Sequence, residues 1–207
     1  LRVTFIGKAA HVADKEYKGL NALDSLVDFY KRLKELEETF DKPHLLGCII
    51  TEGGTAPNIV PDRATLKATV RALDTDYLED VMLPQIKELA AEVAKDHHTP
   101  VETEHYEPLY KNMINNAALN VYFIEAFNAL HEEFGVYEEE DAEGSTDVGN
   151  VSHVTRAAQP EIAIGYHINA HTPEFATAAN SDFAYIQALT GAKAMVAVAA
   201  EVLFEKR

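Results

Sequence analysis

A chain of 207 residues holds one large domain or two small ones, and a hydrophobic fraction of 47% beside a charged fraction of 25% is that of an ordinary globular protein. The formal net charge of -16 argues against a nucleic-acid surface or an anionic membrane, since both need clustered Lys and Arg. Cys48 is the only cysteine, so no internal disulfide can form. One free thiol with no visible signal peptide points to a reducing, cytoplasmic setting. No apolar run is read as approaching the ~20 residues that span a membrane.

The chain opens directly on a strand, residues 2 to 6, as a piece cut from something longer would. Residues 7 to 19 read as a loop. A helix follows, with Leu23, Leu26, Val27, Tyr30, Leu33 and Leu36 at helical spacing, and Pro43 marks the break after it. Leu45 to Ile50 is a strand, in which Cys48 reads as a buried core thiol. Residues 64 to 73 form another, with Leu66, Ala68 and Val70 on one face and Lys67, Thr69 and Arg71 on the other. A helix is predicted over Asp76 to Asp96, with Met82, Ile86, Leu89 and Val93 in one stripe, then a strand over Val101 to Tyr110.

That order is strand, helix, strand, strand, helix, strand. It predicts an α+β fold: a four-stranded antiparallel sheet with two helices on one face, the split βαβ or ferredoxin-like arrangement. A first domain should close by residue 112. Residues 113 to 207 look different: a helix over Asn116 to Phe134, an acidic solvated run at Glu138 to Glu143, a polar loop from Gly144 to Ser152, a short strand at Ile162 to Gly165, and an Ala-rich helix from Asp182 to Phe204. Two helices and one strand do not make a self-sufficient core, so this segment should complete a sheet whose other strands lie elsewhere.

Between the second and third strands runs Gly53-Gly54-Thr55-Ala56-Pro57-Asn58-Ile59-Val60-Pro61-Asp62. A plain hairpin needs two to five residues. Ten residues with paired glycines, and with prolines flanking Asn58, would hold one amide rigidly for presentation. The blander reading is a structural loop whose Asn58 bonds its own backbone.

Several stretches in order together resemble one family, the zinc-dependent aminoacylases, carboxypeptidases and amidohydrolases of metallopeptidase family 20. They are Gly7-Lys8-Ala9-Ala10-His11, Gly19-Leu20-Asn21-Ala22-Leu23, the 53–62 loop, Thr69-Val70-Arg71, Gly144-Ser145-Thr146-Asp147-Val148-Gly149-Asn150-Val151-Ser152, and His171-Thr172-Pro173-Glu174-Phe175. The Gly-Ser-Thr-Asp-Val-Gly-Asn form is most similar to the branch acting on p-aminobenzoyl-glutamate and related N-acyl amino acids or dipeptides. The resemblance implies a lid or dimerisation domain at 1–112, which pairs with a second copy, and the last part of a catalytic domain at 113–207. It also implies that the front of the catalytic domain is missing. That part would supply most ligands of two divalent ions, zinc foremost with manganese or cobalt as alternatives, and a Glu-Glu pair containing the general base. The acidic pairs present, Glu132-Glu133 and Glu138-Glu139-Glu140, lie in the wrong place for it. The chain alone should bind metal weakly or not at all and be inactive.

The same resemblance assigns roles. His171 would be the late metal ligand, the alternative being a loop histidine before a helix starting near Pro173; His167, four residues earlier, has weaker support. His11 would reach into the partner's active site and stabilise the oxyanion, against a plain exposed histidine. Asn58 and Arg71 would receive the substrate's carbonyl and carboxylate, against a sheet-surface arginine paired to a local acid. Gly144 and Ser145 would meet the substrate, against an Asx turn or capping box before a helix. Thr146 stands where many family members carry an acid, which points to a different substrate subgroup. His97, His98, His105 and His153 read as structural. The rival for the whole is a non-catalytic dimerisation or small-molecule-binding module on the same sheet.

Overall fold

The computed structural model describes residues 1–14, 16–132 and 144–204, in two compact units, Leu1–Asn112 and Met113–Arg207. The first unit contains β1 (Arg2–Ile6), α1 (Ala22–Glu37), β2 (His44–Glu52), β3 (Arg63–Ala72), α2 (Thr75–Tyr77), a π-helical turn (Leu78–Met82), α3 (Leu83–Asp96) and β4 (Val101–Glu104). Its sheet is antiparallel throughout, in the order β2-β3-β1-β4. This is the four-stranded, two-helix arrangement that the element order predicts.

Period decides which face is buried. On β1 and β3, Val3, Phe5, Ala64, Leu66 and Ala68 alternate toward the helices and are buried, whereas Arg63 and Arg71 point to the uncovered face. From α1, Ala22, Leu26, Phe29 and Leu33 form the inward stripe. From the second helical run come Met82, Ile86 and Val93. Phe5 and Phe29 meet with centroids 5.8 Å apart. The hydroxyls that burial traps are satisfied: Ser25 pairs with Thr99 at 2.9 Å and Thr4 with Thr65 at 3.2 Å.

Several sequence expectations are corrected here. Val27 and Tyr30 are exposed, 52% and 40%, because the stripe runs through Phe29 instead. The second helix is not continuous α: one turn widens to π just ahead of Pro84. Proline has no N–H to give its preceding turn and its ring crowds that turn's carbonyl, and a π turn accommodates both. The last strand stops at Glu104 rather than Tyr110. It pairs only with Arg2–Phe5, and Pro108 cannot donate to a ladder. Cys48 is half-buried on an edge strand, and burial pushes its thiol pKa up.

The second unit holds α4 (Ala117–Ala129), α5 (Val148–Ser152), α6 (Pro173–Ala179) and α7 (Asp182–Phe204). Asn116 caps α4 by accepting the Leu119 N–H at 3.1 Å. Ala126 and Phe127 of α4 pack on Ala194 and Val198 of α7, with Ile162 alongside. The stretch at Ile162 to Gly165 forms no ladder among the described residues, which contain no other strand in this unit to pair with it. By length and composition alone α7 could cross a membrane, with mean hydropathy 1.4 over an 18-residue window of which 17% is buried. That corrects the expectation that no apolar run is so long. The acidic run, with Glu133 and Phe134, lies outside the described residues.

Candidate functional site

The 53–62 loop is held by its own sequence. Gly54 has φ +111°, open only to glycine, and a Cβ there would lie 2.9 Å from Pro61 Cγ. The Ile59 N–H closes a turn on the Ala56 carbonyl at 3.1 Å. Beyond the sheet, this loop runs antiparallel to the loop after β1. The Gly7 N–H donates to Asp62 O at 2.8 Å, Val60 N–H to Ala10 O at 2.9 Å, and Val12 N–H to Asn58 O at 3.0 Å, with His11 opposite Ile59. The fold thus sets His11 and Asn58 on neighbouring strands of one loop pair, although 47 positions separate them in sequence.

Both are exposed. The amide of Asn58 has no hydrogen-bond partner among the described residues, so it does not bond its own backbone. His11 Nδ1 accepts the Ala13 N–H at 3.1 Å, which leaves Nε2 to carry the proton of the neutral ring. An imidazole N–H and a side-chain amide N–H are each able to donate to a carbonyl oxygen as charge develops on it.

Arg71 is elsewhere. It lies on the uncovered sheet face in register with Leu45, at the end of β3 remote from the loop pair. Eight residues of strand separate it from Arg63, roughly 27 Å at ~3.4 Å per residue. One copy therefore does not bring Arg71 to His11 and Asn58.

In the second unit Gly144 and Ser145 are exposed at the start of a described stretch, with open space around the Gly144 Cα. Thr146 Oγ1 accepts the Val148 N–H at 3.3 Å just before α5, a local turn that leaves Gly144 and Ser145 uncommitted to it. His171 is exposed with φ +63°, and His167 has φ +56°. His98 and His131 are also left-handed, but each follows a helix end where that conformation is ordinary. His171 is followed by Thr172, which caps α6 by accepting the Phe175 N–H at 3.2 Å, and by Pro173 at the first helical turn. A left-handed non-glycine residue costs of order 1–3 kcal/mol and is common where a side chain is held for use.

No group of three or more His, Cys, Asp or Glu able to hold a metal occurs among the described residues. They do not fit a complete metal centre, and His171 fits only as one contributor to a site finished by other residues. What sequence reasoning missed is the brace around His11. Its visible signal is Asp14, an Asx-turn former just after the histidine.

Residues 1–98 match the family model of the peptidase dimerisation domain. Over this segment the chain is similar to that family, and its resemblance to metallopeptidase family 20 rests on that match. Over 210 residues the chain is 33% identical to the Xaa-Arg dipeptidase of Mus musculus, and over 206 residues 32% identical to that of Homo sapiens. Each alignment takes in 98% of this chain and 47% of the relative, so the chain spans about half the length of the curated relatives it matches. Among solved structures, a provisionally named aminohydrolase from methicillin-resistant Staphylococcus aureus is similar with TM-score 0.65 and 18% identity, over 96% of this chain and 50% of that one. Aminopeptidase PepT from Bacillus cereus is similar with TM-score 0.57 and 19% identity, over 95% and 49%. At such identities these structures speak to the fold alone.

Proposed function

We infer that this chain is the lid and the closing catalytic segment of a metal-dependent amidohydrolase that cleaves the amide bond of N-acyl amino acids or small peptides as a homodimer. The observation that carries this reading is the loop pair that ties the exposed His11 and Asn58 segments together at the backbone, His11 opposite Ile59 and the Val12 N–H on the Asn58 carbonyl. The names of the relatives favour dipeptides ending in a basic residue as substrates to try first. Bound divalent ions, zinc in the first instance, would supply Lewis acidity to the carbonyl and to the attacking water, with His171 as one ligand. His11 Nε2–H would donate to the oxygen that gains negative charge, Asn58 would orient the same carbonyl, and Arg71 would take the substrate carboxylate in its planar fork. Gly144 and Ser145 would line the substrate from the second unit.

A small substrate cannot touch both ends of β3, so Arg71 and the His11–Asn58 pair would serve one site only from two different copies. The edge of β2 suits such pairing. It is one of the two outer strands of the sheet, with Leu45, Ile49 and Ile50 exposed at 53%, 64% and 45%. A second β2 laid against it would satisfy the unpaired ladder groups and cover these side chains. Replacing His11 by Ala in the full-length enzyme is expected to lower kcat by about 10²–10³ with little change in KM. An unchanged kcat would remove His11 from the mechanism.

A further inference from the structure

His11 sits in a turn closed by the Asp14 N–H, which donates to the His11 carbonyl at 2.9 Å. Inside that turn the Ala13 N–H reaches His11 Nδ1 at 3.1 Å. A backbone N–H can only donate, so Nδ1 must be the bare nitrogen, and the single proton of the neutral ring sits on Nε2. The Asp14 carboxylate accepts two further backbone N–H groups, from Glu16 and Tyr17, each at 3.0 Å. The Tyr17 ring in turn lies 4.1 Å below the Lys8 ammonium, and Lys8 exchanges backbone hydrogen bonds with Leu20 at 2.8 and 2.9 Å. The segment from Lys8 to Leu20 is thus closed at its neck and pinned in its middle, with His11 between the two ties.

We propose that Asp14 is a positioning residue: by gathering the N–H groups of Glu16 and Tyr17 it fixes the turn over residues 11–14, and that turn holds the His11 imidazole as an Nε2–H donor. This rests on the reading of His11 as the oxyanion donor. The distinction matters chemically. With the proton on Nδ1 instead, Nε2 would present a lone pair to an oxygen gaining negative charge, and the interaction would change from attraction to repulsion. Orientation matters equally, since a donor displaced by about 1 Å forfeits much of its effect.

The tautomer is directly readable. Nitrogen-15 NMR of histidine-labelled 207-residue chain, at about pH 8 where imidazoles are neutral, distinguishes a protonated from a bare ring nitrogen. The His11 signals are assigned by their loss in His11→Ala. The expected result is a bare Nδ1 and a protonated Nε2 in the unmodified chain. In Asp14→Ala an Nδ1-protonated population should appear, and in Asp14→Asn, which keeps an acceptor oxygen, it should not. In the full-length enzyme Asp14→Ala should lower kcat about tenfold at unchanged KM, with Asp14→Asn recovering most of the loss. A protonated Nδ1 in the unmodified chain overturns the proposal, and so does an Asp14→Ala tautomer identical to the unmodified one. Should Asp14→Ala fail to fold, Asp14→Glu, whose longer side chain cannot close the same turn on the Glu16 and Tyr17 N–H groups, decides the question: it should show the Nδ1-protonated population, and a tautomer identical to the unmodified chain overturns the proposal. An undiminished kcat in His11→Ala would sink the oxyanion reading while leaving the tautomer result standing.

Discussion

The two units bury their apolar residues to very different extents. In the first, Phe5, Leu26, Phe29, Leu33, Leu66, Met82 and Ile86 are all 0% exposed, and the sheet and its two helices close on one another. In the second, α7 hides Ala184, Gln187, Ala194 and Val198, yet Ile186, Leu189, Met195 and Val196 stand 63%, 63%, 58% and 71% exposed. Gln187 also leaves its Oε1 without a partner among the described residues, although the residue is 6% exposed. Local propensity suffices to form a long Ala-rich helix, but only complementary layers make a core. The first unit contains both of its layers. A helix apolar on all sides belongs in an interior, and the residues described here do not supply one around α7.

That contrast can be broken by substitution. Phe29→Ala should cost about 3–5 kcal/mol in urea unfolding, because it empties a filled site between α1 and the sheet. Val196→Ala, at a side chain already in solvent, should stay within about 0.5 kcal/mol. Equal losses at the two positions would abolish the distinction. Glycines sharpen it further: Gly54→Ala meets both a positive φ and Pro61, and should cost about 1–3 kcal/mol, whereas Gly144→Ala enters open space and should change stability by no more than about 0.5 kcal/mol.

Smaller effects come from single caps. Asp74 caps α2 by accepting the Tyr77 N–H at 3.1 Å and also pairs with Lys42 at 2.5 Å. Asp74→Ala should cost about 1 kcal/mol by thermal or urea unfolding, mostly through the cap, since the ion pair is exposed. The smallest effect is the acid sensitivity of the His11 loop. The backbone N–H groups of Tyr17 and then Glu16 hold the Asp14 carboxyl below its ordinary value. A carboxylate whose pKa is depressed in the folded state contributes stability that is fully present above the unfolded value and is lost as pH falls through the folded one. Protection of the Glu16 and Tyr17 amides, taken against their intrinsic exchange rates at each pH, should therefore fall on acidification below the usual carboxylate range, while that of amides in β1 holds. Identical pH trends would deny Asp14 its bracing role.

Much of the first unit was legible because its signals are periodic. Alternation along Leu66, Ala68 and Val70 and the order of elements suffice for the sheet and its helices. The π turn was not legible, since Pro84 allows either a kink or a widened turn and packing selects between them. The strand at Ile162 to Gly165 failed for a different reason: a strand is defined by its partner, and an apolar run alone does not say whether one is present. At the site, His11, Asn58 and Arg71 stand out by residue type and motif. Their geometry does not, because register between two loops 47 positions apart is a tertiary fact. The same register separates Arg71 from the other two, and the proposed function therefore draws the three residues from two copies.

Mixed dimers test this division most directly. Full-length enzyme carrying His11→Ala is co-expressed with full-length enzyme carrying Arg71→Ala under different affinity tags, and the doubly tagged species is assayed. Each homodimer should be nearly inactive. The mixed dimer should recover about half the activity of the unmodified enzyme, because one of its two sites receives an intact Arg71 from one copy and an intact His11 from the other. A mixed dimer as inactive as its parents would contradict the account: His11 and Arg71 would then have to act from the same copy, or not in one site at all.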